Sequence, residues 1–321
     1  MRRFDDVKPR IRAVTRAARG DATSLGGMAD DVLDDLPAAT YDLAALLDAW
    51  ESSLRAVSGL GRVLTPEQWE APTECPGWSA GDVVRHLCWV EGFLAHRSDA
   101  PHEVDWAAHP HVTSDFGRLT ETGVDVRRHL EQAAVCDELD TLIDVRLAMI
   151  MRLDPLSLDT EVPGLFGKPV PLRNLLRVRV FDIWTHEQDI RRATGLPANL
   201  ASPGAQVSAL QITASLPFVL ARGLEAAPGT TLLVSVDGPI AFDRCASVGD
   251  DGRGARTEAV APDEATLALG TDWETFARLS AGRLDVDDPD VRARVRLRHR
   301  DDADGAADLA TRLLGELAIT P

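Results

Sequence analysis

The segment Arg177–Arg191, RVRVFDIWTHEQDIR, carries the spacing most able to do chemistry. On a helix, residues four apart share a face with their Cβ atoms about 5–6 Å apart, so Asp182 and His186 can point at one atom, and Asp189 follows on the same face. A carboxylate and an imidazole so placed can chelate a divalent cation; on an exposed face they would form an ordinary ion pair. Leu175, Leu176, Val178, Val180, Phe181, Ile183, Trp184 and Ile190 surround the pair nearly all the way round the helix. That pattern predicts burial, and a buried carboxylate and imidazole need each other or a metal. His86 lies beside Val83 and Leu87, with Val90 one turn on, along the apolar face of an earlier helix. It is there either as a hydrogen-bonded core histidine or as a ligand. Facing helices of a bundle build metal sites from such inward polar groups. Two histidines and one carboxylate leave a fourth position open, the arrangement of a catalytic zinc and not a structural one.

Other residues offer weaker chemistry. His96, His102, His109 and His111, with Asp105 and Asp115, lie in or beside a long loop, where they are solvated polar groups or a loose metal site. Cys75 and Cys88 read as small apolar filler. Trp78, just ahead of the His86 helix, either packs or walls a pocket. The sequence holds no HExxH pair and no phosphate-binding glycine loop, which removes some hydrolase and nucleotide readings.

The elements that must position these residues are legible from periodicity. Leu43, Leu46, Leu47, Trp50, Leu54 and Val57 predict a helix ending at Gly59 and Gly61. After a connector from Thr65 to Gly77, Ser79 with Asp82 three residues on caps a second helix that carries His86. A third helical region spans Val126 to Ile150 with a break near Cys136. A proline- and glycine-rich loop follows, and a fourth helix runs from Leu172 to Thr194, stopped by Gly195 and Pro197. Four amphipathic helices with two long connections read as a four-helix bundle. Beyond Leu200 come a helix Val207–Leu224, kinked at Pro217, and short strands at Thr231–Val236, Ile240–Phe242, Ala265–Leu269 and Val291–Leu297. Helices Asp272–Ala281 and Asp304–Leu317 complete that region. The fold class is therefore α followed by α+β, with residues 38–200 as bundle and 201–321 as a small α+β domain. Residues 1–37, mixed in charge and broken by glycines, are expected to be an extension outside the main domain, either a poorly ordered leader or one whose basic part forms a short amphipathic helix.

Composition bounds the function. The chain has 321 residues, 45% hydrophobic and 26% charged, which suits two globular domains. Its net charge of −17 repels phosphate backbones and anionic membranes, so nucleic acid and membrane are not expected partners. No apolar run reaches a membrane span and no signal-peptide core is seen, so a cytoplasmic location is expected. Cys75, Cys88, Cys136 and Cys245 form no CxxC pair, which fits free thiols and leaves any metal to histidine and carboxylate.

Two segments, PTECPGWSAGDVVRHL (Pro72–Leu87) and RVFDIWTHEQDIRRATG (Arg179–Gly195), resemble in order and separation the mycothiol-dependent maleylpyruvate isomerase family, whose N-terminal half is a DinB-like four-helix bundle. The C-terminal stretches DEATLALGTDWETFARLSAGR and LATRLLGELAITP are similar to the sterol-carrier-like domain that follows in many members. The resemblance implies a divalent metal, usually zinc, held by His86, Asp182 and His186, and mycothiol as thiol cofactor. The characterised isomerase pattern has Glu where this chain has Asp182. Arg179, Asp189, Arg191 and Trp78 would then surround the metal or contact substrate, and further cations for substrate carboxylates would be Arg177 or the row Arg292, Arg294 and Arg296. The implied activity is cis–trans isomerisation or thiol S-transfer on a small-molecule substrate. The alternative is a non-catalytic protein that binds a structural metal or an apolar ligand.

Overall fold

A computed structural model of the chain describes residues 41–165, 167–258, 260–300, 303 and 305–319. The expected extension 1–37 lies outside the described residues. The rest separates into two compact units, Tyr41–Asn199 and the residues from Leu200 onward.

The first unit is a helical bundle. Helix α1 (Leu43–Val63) starts where the Asp42 side chain accepts from the Ala45 amide. A short α2 (Pro66–Trp69), closed by a Thr65–Gln68 capping box, interrupts the expected connector. Helix α3 (Ala80–Leu94) opens on the predicted box: Ser79 accepts from the Asp82 amide and Asp82 accepts from the Ser79 amide. Then come α4 (Asp115–Asp125), α5 (Gln132–Ile150), a hairpin of β1 (Glu161–Pro163) with β2 (Pro169–Pro171), and α6 (Leu172–Ala193). Helix α1 packs on α5 and α6, and α3 packs on α5, α6 and α4. Trp50, Leu54 and Val57, Val83, Val84 and Leu87, Leu139, Leu142 and Ile143, and Leu176, Val180 and Ile183 interlock at 1% exposure or less.

Two expectations about helix ends fail here for packing reasons. Helix α1 continues through Gly59 and Gly61, because Gly61 serves close approach: a Cβ there would lie 2.8 Å from Cys136 Sγ on α5. The third region breaks at residues 126–131 and not near Cys136, which is buried inside α5. The break turns Arg127 inward, where its guanidinium donates to Asp99 and Glu138, each at 2.8 Å, and to the Gly123 carbonyl.

The second unit is α+β. Helix α7 (Pro203–Phe218) runs through Pro217 into a π turn, Val219–Gly223, which takes the place of a simple kink. Strands β3 (Thr231–Asp237), β4 (Phe242–Val248), β5 (Gly254–Thr257), β6 (Leu267–Asp272) and β7 (Arg296–His299) form one sheet in the order β5-β4-β3-β6-β7, with only β3 and β6 parallel. Helix α8 (Trp273–Ser280) is capped by Asp272 as predicted, and α10 (Ala306–Glu316), after a short α9 (Pro289–Arg292), packs on β6 and β7. The expected strand Val291–Leu297 is instead α9 followed by β7. Asp288 accepts from the Asp290 amide and Pro289 occupies the first helical position, so the chain turns before it extends. The alternating arginine row does not exist on one strand: Arg292, on α9, pairs with Asp287, and Arg296, on β7, pairs with Asp237.

The sequence reading of no membrane-length apolar run also needs correction. Among the described residues, Pro203–Gly223 is long and apolar enough to cross a membrane. Its apolar residues Val207, Ile212, Leu216 and Leu220 are buried, and the helix packs on β4 and β5 as a core helix.

Candidate metal centre

The Ser79 box fixes the start of α3, and His86 falls nearly two turns in; Asp182, His186 and Asp189 sit on α6, which packs against α3. His86 Nε2 lies 3.9 Å from Asp182 Oδ2, and His186 Nε2 lies 3.7 Å from Asp182 Oδ1. Each of the three residues offers a ligating atom within 4.8 Å of the other two. The two separations are too long for hydrogen bonds. They run to different oxygens of Asp182 and are about 0.4–0.6 Å longer than the edge of roughly 3.3 Å that a tetrahedral cation with bonds of about 2.0–2.1 Å spans. The three residues thus group their donor atoms without bonding one another, an arrangement that a divalent cation could draw together. Asp182 is the accessible member, with a side chain 30% exposed against 8% for each histidine.

The surroundings set the charge of each group. Arg179 Nη1 donates to Asp182 Oδ2 at 2.6 Å, and Arg179 Nε donates to Glu91 Oε1 at 3.0 Å. Burial would raise the Asp182 pKa, but Arg179 and the two imidazoles outweigh it and hold the carboxyl well below the usual range. Burial pushes His86 down to about 4, offset only in part by Asp182, so its imidazole is neutral. His86 Nδ1 is buried with no hydrogen-bond partner among the described residues. At His186 burial also disfavours the cation, yet the charge of Asp182, a hydrogen bond to Asp189 and the Cys75 side chain raise it to about 10.

Asp189 stands behind His186. His186 Nδ1 lies 3.1 Å from Asp189 Oδ2, and Cys75 Sγ donates to the same oxygen at 3.2 Å. A carboxylate at Nδ1 fixes the tautomer that leaves Nε2 for a metal. Trp78 walls the centre: its ring lies 4.9 Å from that of His86 and 6.2 Å from that of His186, while its indole nitrogen donates to Glu121 Oε2 at 2.7 Å. Arg179 is inside but is shared between two carboxylates. Arg191 is not brought to the centre; it bonds Glu187 and the Pro197 carbonyl at the end of α6. Among the loop residues, His102 pairs with Asp125, and Asp105 caps a 3₁₀ turn, Trp106–Ala108.

Sequence reasoning missed Glu91 and Glu121, and its reading of Cys75 as apolar filler is corrected by the thiol's hydrogen bond to Asp189. Glu91 is fully buried behind Arg179 and also meets Arg146 and Trp50. Its one signal was an acid on a helix with no polar face. Cys75 sits in a loop, where no periodicity ties it to α6.

Residues 50–191 match the family model described as the mycothiol maleylpyruvate isomerase N-terminal domain. Among solved structures, the chain resembles a crystal structure of the mycothiol-dependent maleylpyruvate isomerase at 16% identity and a TM-score of 0.50, over 78% of this chain and 91% of that one. A histidine-to-alanine mutant of the mycothiol-dependent maleylpyruvate isomerase gives 15% identity and a TM-score of 0.47, over 82% and 94%. Comparison with curated proteins found no match. At such identity the structural likeness is one of fold.

Proposed function

With residues 50–191 belonging to the mycothiol maleylpyruvate isomerase N-terminal domain family, we propose that this protein is a metal-dependent enzyme that uses a low-molecular-weight thiol, mycothiol, for maleylpyruvate-type cis–trans isomerisation or thiol S-transfer. The observation that carries this reading is the triangle of His86, Asp182 and His186, whose donor atoms face one another beyond hydrogen-bond range.

A bound zinc would supply an open position that takes a thiol as thiolate at neutral pH. The chain's own residues do the rest. Asp189, steadied by the Cys75 thiol, keeps a proton on His186 Nδ1 and so presents Nε2. Arg179 orients Asp182 and draws its charge partner from Glu91. Trp78 covers the imidazoles and keeps water from that side. Thiolate addition to a conjugated cis double bond leaves a single bond that rotates, and departure of the thiolate restores the double bond in the trans form. Transfer of the same thiol to an electrophile would be the S-transferase variant. All four cysteines are free and buried, which suits the reducing, cytoplasmic setting this reading requires.

The test is turnover by the zinc-loaded protein with mycothiol, first against maleylpyruvate and then against a panel of electrophiles. Thiol-dependent turnover that disappears in His86→Ala and His186→Ala supports the reading. Metal content unchanged in both variants overturns it.

A further inference from the structure

The loop after α3 gathers a second set of donor atoms that shares no residue with the first. His109, His111 and Glu121 each offer a ligating atom, and the three atoms lie within 4.8 Å of one another. Glu121, on α4, is 1% exposed. Its Oε2 is satisfied by the Trp78 indole. Its Oε1 is buried, 3.3 Å from His109 Nδ1 and 2.7 Å from Arg128 Nη1, yet neither contact has the alignment of a hydrogen bond. A buried carboxylate oxygen with no directed donor is a costly group to leave as it is. The 3.3 Å separation from His109 Nδ1 matches the edge of a tetrahedron built on bonds of about 2.0–2.1 Å.

The third donor is held in place by close packing. Gly77 has φ +78°, and a Cβ there would run into the imidazole of His111, so the ring rests directly on Gly77. The rings of His109 and His111 lie 5.9 Å apart at 73°. Arg128 lies against the cluster, but it is divided among Glu121, Asp82 at 3.2 Å and Asp125 at 2.7 Å. Arg85 also pairs with Asp82. Glu121 and Asp82 thus share two guanidinium groups, while Asp125 is also met by His102.

We propose that His109, His111 and Glu121 form a second divalent-cation site, of the nitrogen and oxygen class that zinc occupies. A cation there ties the His109–His111 loop to α4 and, through the other oxygen of Glu121, to Trp78. The second cation is therefore a clamp on the wall of the first centre and takes no part in holding the thiol.

Zinc binding to the stripped full-length protein, by equilibrium dialysis with elemental analysis, tests this. The wild type is expected to bind two equivalents, and His109→Ala/His111→Ala and His86→Ala/His186→Ala one each. His111 is exposed, so His111→Ala alone keeps the fold while weakening the second equivalent by at least the roughly 10- to 100-fold that even a supporting residue is worth. Circular dichroism checks that each variant is folded. Loop variants that bind as many equivalents as the wild type, with unchanged affinity, overturn the site. If the loop variants lose an equivalent while His86→Ala/His186→Ala loses none, this site stands and the proposed catalytic centre fails.

Discussion

Asp182 accepts a 2.6 Å hydrogen bond from Arg179 on one oxygen, Oδ2, while its other oxygen, Oδ1, lies 3.7 Å from His186 Nε2. The guanidinium thus sets which way the carboxylate faces. Arg179→Met leaves Glu91 fully buried with Arg146 as its remaining cation. Removing one partner of a buried ion pair costs about 3–5 kcal/mol. Urea unfolding of the metal-free variant is expected to show a loss of that order, and chelator competition a drop in metal affinity of roughly 10- to 100-fold. Wild-type values in both measurements would detach Arg179 from the site.

The length of the Asp182 arm is a second test. Asp182→Glu adds one carbon, about 1.5 Å, where zinc distances are held within roughly ±0.2 Å. The variant is expected to change affinity or activity measurably, and Asp182→Ala to weaken binding by more than about 100-fold, beyond the range of a supporting residue. Wild-type affinity in Asp182→Ala would leave the two histidines as the only ligands.

The two histidines give the metal-free protein opposite pH limbs. His86 has a folded pKa of about 4 against roughly 6.5 unfolded, so the unfolded chain binds the extra proton between them and stability falls as pH drops through that window. His186 has a folded pKa of about 10, so its contribution is fully present below roughly 6.5 and is lost as pH rises toward 10. The urea midpoint should therefore peak near pH 6.5. Burial also pushes the Cys88 and Cys136 thiols up, which adds a loss only above about pH 8.5, so the stretch from 6.5 to 8 belongs to His186. His186→Gln should flatten that stretch; a wild-type midpoint that climbs steadily from pH 5 to 9 contradicts the assignment.

Gly123 on α4 lies against Trp89, whose ring is 6.2 Å from that of His86. A Cβ at Gly123 would overlap the indole. Gly123→Ala is expected to cost about 1–3 kcal/mol, as overpacking does, and to lower metal affinity because Trp89 must shift against His86. Thermal unfolding and chelator titration measure the two effects. A neutral substitution would mean that α4 yields without strain.

What could be read from the sequence was local. The Ser79 box, the Asp272 cap and the stop of α6 at Gly195 rest on residues a few positions apart, and each stands where periodicity and capping put it. The i, i+4 placement of Asp182 and His186 is local as well. What was not legible depends on distant partners. Strand β5 is four residues, GART, with no apolar run; β4 pairs with it, and Gly254 fits directly onto the Pro217 backbone. Glu121 takes its meaning from Trp78, which lies 43 residues away in sequence. Cys75 takes its meaning from Asp189, 114 residues away.

His86 on α3 and the pair on α6 stand 182 − 86 = 96 residues apart at their nearest, so only the i, i+4 pair of the trio is local in sequence. On the proposed ligand set, full coordination would arise only once α4, α5 and the β1–β2 hairpin between these helices have folded. Loading is then a readout of assembly: each ion held favours the finished bundle by RT ln(1 + [M]/Kd), about 2.7 kcal/mol at a free concentration 100 times Kd. Metal supply would therefore govern how much of the protein survives as folded molecules, independently of how fast any one of them turns over.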